Sequence, residues 1–342
     1  MPATWTKEQL VSGLVRYADL IPCVTAFIDT RTPGSDRKEN FTIIGPGVAE
    51  NPAQFVHISD PHGFNIGGAR QPPGCVNSQH SHETEEVFLV NSGRWRFLTG
   101  EHAEGPSIDL EPGDVISLPT NVFRGFENVG EQAGFLFAVL GGDNPGRVTW
   151  APHVIREASD HGLILLENGS LIDTRGGEEI PAGARPVQPL GAAEAAAFRQ
   201  LSPEELACAV IRYPCSQPEK AVGGLSNDSG VVELPLIGAE NRRERMPAGA
   251  IGYDHGFHLR LLMLSPGAAV NMHSRQEREV LLTHQGPVHV RTPAGGVVLG
   301  SGDTLSIPVG MPRSFCNPEA QSAAVFIVRA GNSPSAAVWH AD

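Results

Sequence analysis

Several absences in the sequence exclude whole classes of protein. Its 342 residues hold 25 Lys and Arg against 38 Asp and Glu, a formal net charge of −13. A chain this acidic is not expected to bind nucleic acid or an anionic membrane surface. No apolar run reaches the length of a membrane span. The first ten residues lack the basic-then-apolar pattern of a secretory signal, which favours a cytoplasmic location.

Cysteine is scarce and scattered. The five cysteines form neither a CxxC metal pair nor a disulfide framework. We interpret them as reduced, structural residues: Cys23, Cys75, Cys208, Cys215 and Cys316. The chemistry of the protein is therefore expected to come from other residue types.

Glycine and proline, in contrast, are abundant. The chain holds 39 Gly and 28 Pro, and 40% of its residues are hydrophobic. Turn residues placed between short apolar runs favour short strands over long helices. A chain of 342 residues is also long enough to bury a large core and to form two domains.

The most informative stretch contains two histidines and a carboxylate. His80, His82 and Glu86 lie between Gly74 and Gly93. Alternate residues of a strand point to the same face, so the spacing predicts three side chains on one strand face. Two imidazoles and a carboxylate suit a divalent metal that keeps open positions for water or substrate. The alternative is a hydrogen-bonded polar cluster in a metal-free barrel.

This spacing resembles the first motif of the cupin superfamily, which reads Gly, five residues, His-x-His, three residues, Glu, six residues, Gly. The second cupin motif is matched at Gly113, Pro119 and Asn128. The sequence departs from that motif at Asn121, where glycine is usual, and at Arg124, where a third histidine ligand is expected. The resemblance thus implies three protein ligands rather than four.

The same unit occurs twice in the chain. His80, Glu86 and Gly93 recur 193 positions later as His273, Glu279 and Gly286. Beyond the motif the shift is 189 positions, as from Gly113 to Gly302 and from Trp150 to Trp339. The resemblance therefore implies a bicupin: an all-β protein of two tandem cupin barrels (double-stranded β-helix, or jelly-roll) with a few peripheral helices.

The repeat predicts three segments. Residues 1–150 form the N-terminal cupin barrel, with a leading helix capped at Thr6 and the metal site. Residues 151–235 connect the two copies, and Ser202 is expected to cap a helix that runs to about Tyr213. Residues 236–342 form the C-terminal cupin barrel with a degenerate site.

In the second copy the set His273, Arg275, Glu279 and Arg313 replaces His80, His82, Glu86 and Arg124. A single histidine beside two guanidinium groups is not expected to hold a cation. Arg275 and Glu279 are expected to form an ion pair, with Arg313 nearby. The alternative is an anion pocket built on the two arginines.

Two roles remain open for Arg124. By strand parity it points inward beside Phe126 and Asn128, where it clamps a substrate carboxylate or enolate, or it pairs with Glu86 or Glu127 and plugs the vacant ligand position. We count Arg124, Phe126 and Asn128 as candidates for substrate binding or charge balance. Asn128 is favoured as a turn or hydrogen-bonding residue.

The resemblance implies a homodimeric, metal-dependent, dioxygenase-like oxidoreductase that acts on a small organic acid or aromatic compound in the N-terminal barrel. Two histidines and one carboxylate are typical of non-haem Fe(II) oxygenases, so Fe(II) is favoured, although Zn, Mn or Ni suit the same ligands. Lyase, decarboxylase and isomerase activities occur on this scaffold too. An alternative from another class is a non-catalytic bicupin that binds or senses a small molecule.

Overall fold

We analysed a computed structural model of the chain, which describes residues 5–214, 223–227 and 229–341. Cys215 lies outside these residues. The chain divides into two compact units, one formed by Ile21–Tyr213 and the other by Met1–Leu20 together with Pro214–Asp342. No helix of the described part is long and apolar enough to cross a membrane.

The first half of the chain is mainly β structure with short helices. In chain order its elements are α1 (Lys7–Val11), β1 (Leu14–Val15), β2 (Glu39–Ile44), β3 (Val56–Ile58), β4 (Phe64–Gln71), β5 (Val76–His82), β6 (Glu86–Ser92), β7 (Trp95–Thr99), β8 (Ser107–Leu110), β9 (Val115–Leu118), β10 (Arg124–Asn128), β11 (Gly134–Gly141), β12 (Val148–Trp150), α2 (Pro152–Asp160), β13 (Leu163–Leu165), β14 (Leu171–Asp173), α3 (Ala192–Ala195), α4 (Pro203–Cys208) and β15 (Val210–Ile211). A single 3-10 turn, Tyr17–Asp19, follows β1.

The second half repeats the strand pattern. Its elements are β16 (Val231–Ile237), β17 (Phe257–Leu264), β18 (Ala269–Ser274), β19 (Glu279–Gln285), β20 (Val288–Thr292), β21 (Gly295–Leu299), β22 (Thr304–Ile307), β23 (Arg313–Cys316), β24 (Ala323–Ala330) and β25 (Val338–Trp339).

Each unit holds two antiparallel-rich sheets of matching order. In the first unit the orders are β15-β9-β6-β11-β4-β2-β3 and β12-β5-β10-β7-β8, and β13 and β14 form a separate pair. In the second unit they are β1-β22-β19-β24-β17-β16 and β25-β18-β23-β20-β21. The all-β fold of two tandem cupin barrels is confirmed.

The core of each unit is built from apolar side chains of its own strands. In the first barrel Phe88, Phe97 and Phe126 pack together with ring centroids 5.1 to 5.6 Å apart. In the second, Phe315 and Leu281 belong to the buried cluster. Burial of such side chains is the main stabilising contribution to a barrel of short strands.

A short leading segment completes the edge of each large sheet. Strand β1 pairs with β22, with Leu14 opposite Leu305, so the described residues 5–20 lie with the C-terminal barrel rather than with the barrel that follows them in sequence. Strand β15 pairs with β9 in the same way, with Val210 opposite Ile116.

The two leading segments are attached by the same contacts. Arg16 forms an ion pair of 2.6 Å with Asp303, whose other oxygen accepts a hydrogen bond from the Tyr17 amide. Arg212 forms an ion pair of 2.6 Å with Asp114, which accepts from the Tyr213 amide. The internal repeat therefore includes the leading segments as well as the barrels.

The predicted helix starts are present, but one predicted end is wrong. Thr6 and Gln9 form the expected capping box, and Ser202 caps α4 through the Glu205 amide. The second helix ends at Cys208 instead of near Tyr213. The β-branched residues that follow favour extended backbone, and they join the sheet as β15.

Candidate metal centre

The three predicted ligands converge, although they do not share one strand. His80 and His82 are at the end of β5, and Glu86 begins β6 after a turn at residues 83–85. Strands β5 and β6 belong to different sheets of the barrel. The expectation of one continuous strand face was therefore wrong, since the carboxylate approaches the histidines from the facing sheet.

The ligand atoms of these residues are close to one another. The Nε2 atoms of His82 and His80 lie 3.3 and 4.0 Å from Oε2 of Glu86. One potential ligand atom from each residue lies within 4.8 Å of the others. All three residues are at least 95% buried. The geometry is that of a compact, three-ligand face inside the barrel.

A buried hydrogen-bond chain fixes the orientation of His80. Its Nδ1 lies 2.7 Å from the Ser78 carbonyl oxygen, which accepts a hydrogen bond from Nδ1–H and leaves the lone pair of Nε2 available for a metal. Behind it, Lys38 donates to Oδ1 of Asn77 at 2.9 Å. Lys38 also forms a fully buried ion pair with Asp29. Strand β5, which carries both histidines, is therefore held in position by buried polar contacts.

Burial determines the protonation of the histidines. Desolvation and the nearby charge of Arg124 lower the pKa of His80 to about 3. The same two causes hold the pKa of His82 well below its usual value. Burial raises the pKa of Glu86, and the charge and hydrogen bond of Arg124 oppose that rise. Both imidazoles are therefore neutral at physiological pH, the state in which they bind a metal.

Arg124 is an ion-pair partner of the candidate ligand. Its Nη2 lies 3.0 Å from Oε2 of Glu86, and its Nη1 donates to the His80 carbonyl oxygen at 3.4 Å. The side chain is fully buried and does not line the cavity described next. These contacts are those of an ion-pair partner of Glu86.

The ligands lie against a cavity of about 70 Å³ inside the first barrel. Its lining is mostly apolar and includes Phe126, Ala138, Leu140 and Trp150, with Asn40, Thr42, Asn65 and Asn77 as polar residues. Among the described residues Nδ2 of Asn40 is buried without a hydrogen-bond partner. Small apolar cavities with a few polar groups are typical binding sites for small molecules.

Trp150 connects the cavity to a second buried acid. Its ring lies 5.2 Å from that of His80, and its Nε1 donates to Oε1 of Glu50 at 2.6 Å. The other oxygen of Glu50 accepts from the Ile28 amide. Desolvation raises the pKa of Glu50 to about 8, against the effect of these hydrogen bonds.

Asn128 is placed away from the cavity. Its Nδ2 donates to the carbonyl oxygens of Gln71 and Gln132, and its Oδ1 accepts from the Gly130 amide. The described contacts are those of a turn residue. Phe126 of the same strand lines the cavity.

Comparison with known proteins agrees with this architecture. Residues 69–140 match the cupin domain family. The chain resembles oxalate decarboxylase of Lactobacillus farciminis, solved with formate, at 11% identity and a TM-score of 0.53 over 95% of this chain and 88% of that one. It resembles a deletion mutant of Bacillus subtilis oxalate decarboxylase at 14% identity and a TM-score of 0.53, over 98% and 80% of the two chains. The chain has the fold of a bicupin. No curated protein matches it in sequence.

The second barrel has ion pairs at the equivalent place. Glu279 lies 2.6 Å from Arg313, 2.7 Å from Arg329 and 3.5 Å from Arg275. His273 is fully buried and its Nδ1 contacts the Asn271 carbonyl oxygen. Arg275 and Arg313 thus contact the carboxylate, as the ion-pair interpretation expected. Like Glu86, Glu279 begins a new strand, so the pair does not lie on one strand face as predicted.

This ion-pair cluster is larger than the sequence suggested. Glu233 accepts from Arg329 at 2.6 Å, Glu244 pairs with Arg275, and Arg260 lies 3.8 Å from Glu244. Despite burial, the charges of Arg313, Arg329 and Arg275 hold the pKa of Glu279 well below its usual value. The second barrel therefore has guanidinium groups around its carboxylate where the first has imidazoles.

Several residues of the site were missed from sequence. Lys38, Asp29 and Glu50 lie before the motif in a stretch without spacing cues. Asn40 had a signal, because the shift of 193 positions pairs it with Glu233 of the second copy. The buried supports of a site depend on long-range contacts, which motif spacing does not report.

Proposed function

We propose that the protein is a metal-dependent enzyme that converts a small carboxylic acid in its N-terminal barrel. The supporting observation is the convergence of His80, His82 and Glu86 against a cavity of about 70 Å³. Such a cavity suits a compact acid better than an aromatic compound.

The residues fit a divalent metal. The imidazoles are neutral, Nε2 of His80 is oriented by the Ser78 carbonyl oxygen, and Glu86 supplies the anionic ligand. Nδ1 of His82 is buried and has no partner among the described residues. When bound, a metal would supply a Lewis acid that polarises an oxygen of the substrate. Fe(II) remains our choice from the ligand types, with Mn(II) as its main competitor.

Arg124 balances charge in this proposal. Its guanidinium lies on the same oxygen of Glu86 that the histidines approach, which favours the ionised carboxylate in a dry site. Because Arg124 does not line the cavity, its effect on a substrate passes through Glu86. It is a positioning residue, not a substrate clamp.

Asn40 is proposed to orient the substrate. Its amide nitrogen is a buried donor on the cavity wall without a described partner. A carboxylate oxygen of a substrate would satisfy that donor, and an unsatisfied buried donor costs about 1–3 kcal/mol. The apolar walls at Leu140 and Phe126 exclude water around the reacting group.

The reaction class is proposed in two forms. Solved structures that share the fold include oxalate decarboxylases, one of which is described through its Mn(II) centres, and this likeness favours decarboxylation of an acid of the oxalate class. A dioxygenase reaction is the second candidate, supported by the two-histidine, one-carboxylate ligand set. The homodimer, the cytoplasmic location and the three-segment domain division remain expectations that accompany either form.

One experiment separates these forms. The protein is loaded with Mn(II) or Fe(II), incubated with two- to four-carbon acids, and followed for CO₂ release and O₂ uptake together. Decarboxylation releases CO₂ without net O₂ consumption, whereas a dioxygenase consumes O₂ in proportion to product. His82→Ala is expected to abolish turnover, and His273→Ala is the matched control that retains it. A fully metal-loaded protein that binds these acids without turnover would instead support the binding or sensing alternative.

A further inference from the structure

A second cluster of metal-ligating side chains lies on the first unit, outside its cavity. Glu101, His102 and His153 each place a ligand atom within 4.8 Å of the others. The imidazole rings of His102 and His153 are 4.7 Å apart, inclined by 36°. Nε2 of His102 lies 3.6 Å from Oε1 of Glu101. His102 and His153 are 51 positions apart in the sequence, so motif spacing did not predict this cluster.

The turn that carries two of these residues is held in a fixed shape. It lies between β7 and β8, and Gly100 and Ala103 adopt positive φ angles of 94° and 61°. The His102 amide donates to the Glu104 carboxylate at 2.7 Å. The turn therefore presents Glu101 and His102 from an ordered backbone rather than from a free loop.

His153 comes from the first turn of α2. Its Nδ1 is buried and has no hydrogen-bond partner in the described part of the chain. Desolvation and the neighbouring His102 lower its pKa, which favours the neutral imidazole that a metal requires. Among the described contacts, Nδ1 of His153 makes no hydrogen bond, and the imidazole of His102 lies next to the ring.

Both halves of the cluster are anchored on the same residue of β5. The side-chain amide of Gln79 donates to the Gly100 carbonyl oxygen at 2.7 Å. The backbone carbonyl of Gln79 accepts from the Ala151 amide at 3.0 Å. The distance between the two histidines is thereby fixed by a buried residue next to His80.

We propose that Glu101, His102 and His153 form a second divalent transition-metal site of the Zn(II) class. Two imidazoles and a carboxylate are ligands that Zn(II) takes from proteins, with water completing the shell at an exposed site. The site joins the β7–β8 turn to α2, which begins two residues after Trp150 of the cavity wall. A bound ion would restrict the movement of that wall from outside the cavity. The site stands independently of the function proposed for the barrel interior.

Zn(II) titration of the full-length protein by calorimetry tests this site. The wild type is expected to bind two ions per chain, one in the barrel and one at the surface. His102→Ala with His153→Ala is expected to bind one, and so is His82→Ala. Combining all three substitutions is expected to leave none.

The control is His161→Ala, which removes the histidine at the other end of α2 and is expected to leave two ions. Co(II) absorption spectra give a second readout, because each site contributes its own visible bands. The proposal fails if His82→Ala alone removes all bound Zn(II), or if the double variant binds as many ions as the wild type. Neither result depends on turnover, so failure of the enzyme proposal remains distinguishable.

Discussion

The two barrels share a topology and differ in what fills their interiors. The first has a cavity beside two neutral histidines, and the second has a buried cluster of arginines and glutamates. Because the two copies share strand order and register, each position of one barrel can be compared with its equivalent in the other.

Three equivalent positions account for the cavity. Strand register places Gly67 beside Ala138 in the first barrel and Arg260 beside Ile327 in the second. By the same register, Leu140 corresponds to Arg329 and Asn40 corresponds to Glu233. Gly67, Leu140 and Asn40 all line the cavity.

The comparison shows how the same barrel fold can enclose either an open binding cavity or a core of buried salt bridges. Long charged side chains at these positions fill the barrel and neutralise one another. Small or neutral side chains leave the space open. An additional cation such as Arg329 on the central carboxylate also removes the need for a metal. The second barrel is therefore a natural control for the first.

The largest predicted difference concerns metal binding. His82→Ala removes one of the two imidazoles of the first barrel, so Mn(II) binding there is expected to be lost. His273→Ala, which removes the histidine of the second barrel equivalent to His80, is expected to leave Mn(II) binding unchanged. Equilibrium dialysis followed by electron paramagnetic resonance measures both. Equal losses in the two variants would contradict the division of roles between the barrels.

The next difference concerns the buried ion pairs. Arg329→Met leaves Glu233 without its 2.6 Å partner, and removing one member of a buried pair typically costs about 3–5 kcal/mol. Arg124→Met leaves Glu86 unpaired in the same way, but there a divalent metal can replace the lost positive charge. Added Mn(II) is expected to restore the melting temperature of Arg124→Met and not that of Arg329→Met. Rescue of both, or of neither, would show that the first barrel is no more open to a cation than the second.

The last predicted difference is in pH dependence. The pKa of Glu50 in the first unit is raised to about 8 by burial, so the folded state holds a proton that the unfolded chain loses above its own lower pKa. Stability contributed by Glu50 thus falls as pH rises towards 8, by at most about 5 kcal/mol. Glu279 of the second barrel, whose pKa is lowered despite burial, contributes stability that is lost as pH falls.

Melting temperatures from pH 5 to pH 8.5 check this prediction. Glu50→Gln is expected to flatten the decline towards high pH, whatever its effect on the midpoint itself. Glu131→Gln, at an exposed position, is the control and keeps the wild-type slope. An unchanged slope in Glu50→Gln would mean that Glu50 is already ionised in the folded protein.

The sequence predicted the fold because its signals are local and repeated. The spacing of His80, His82 and Glu86, and its recurrence at Glu279, depends on short turns whose lengths are visible in the chain. The error about one strand face arose because residues 83–85 turn the chain without a glycine or proline to mark it. Spacing therefore predicted which residues meet, but not the direction from which they meet.

The supports of the site could not be predicted in the same way. The pair of Lys38 and Asp29 and the contact of Glu50 with Trp150 join residues by burial. The role of Arg124 was left open between a substrate clamp and an ion-pair partner of Glu86 or Glu127, and the contacts of its guanidinium group in the folded barrel are needed to distinguish the two. Such contacts depend on which side chains are excluded from water, and that property belongs to the folded barrel.

The pairing of β1 with β22 has a consequence for the order of folding during synthesis. Leu305, the partner of Leu14, is made about 290 positions after it, roughly 15–60 seconds later at ~5–20 residues per second. Throughout that interval the leading segment has no native edge strand to join, whereas residues 21–213 can complete their own unit. Strand β1 is thus expected to join its sheet only after residues 21–213 have been able to fold.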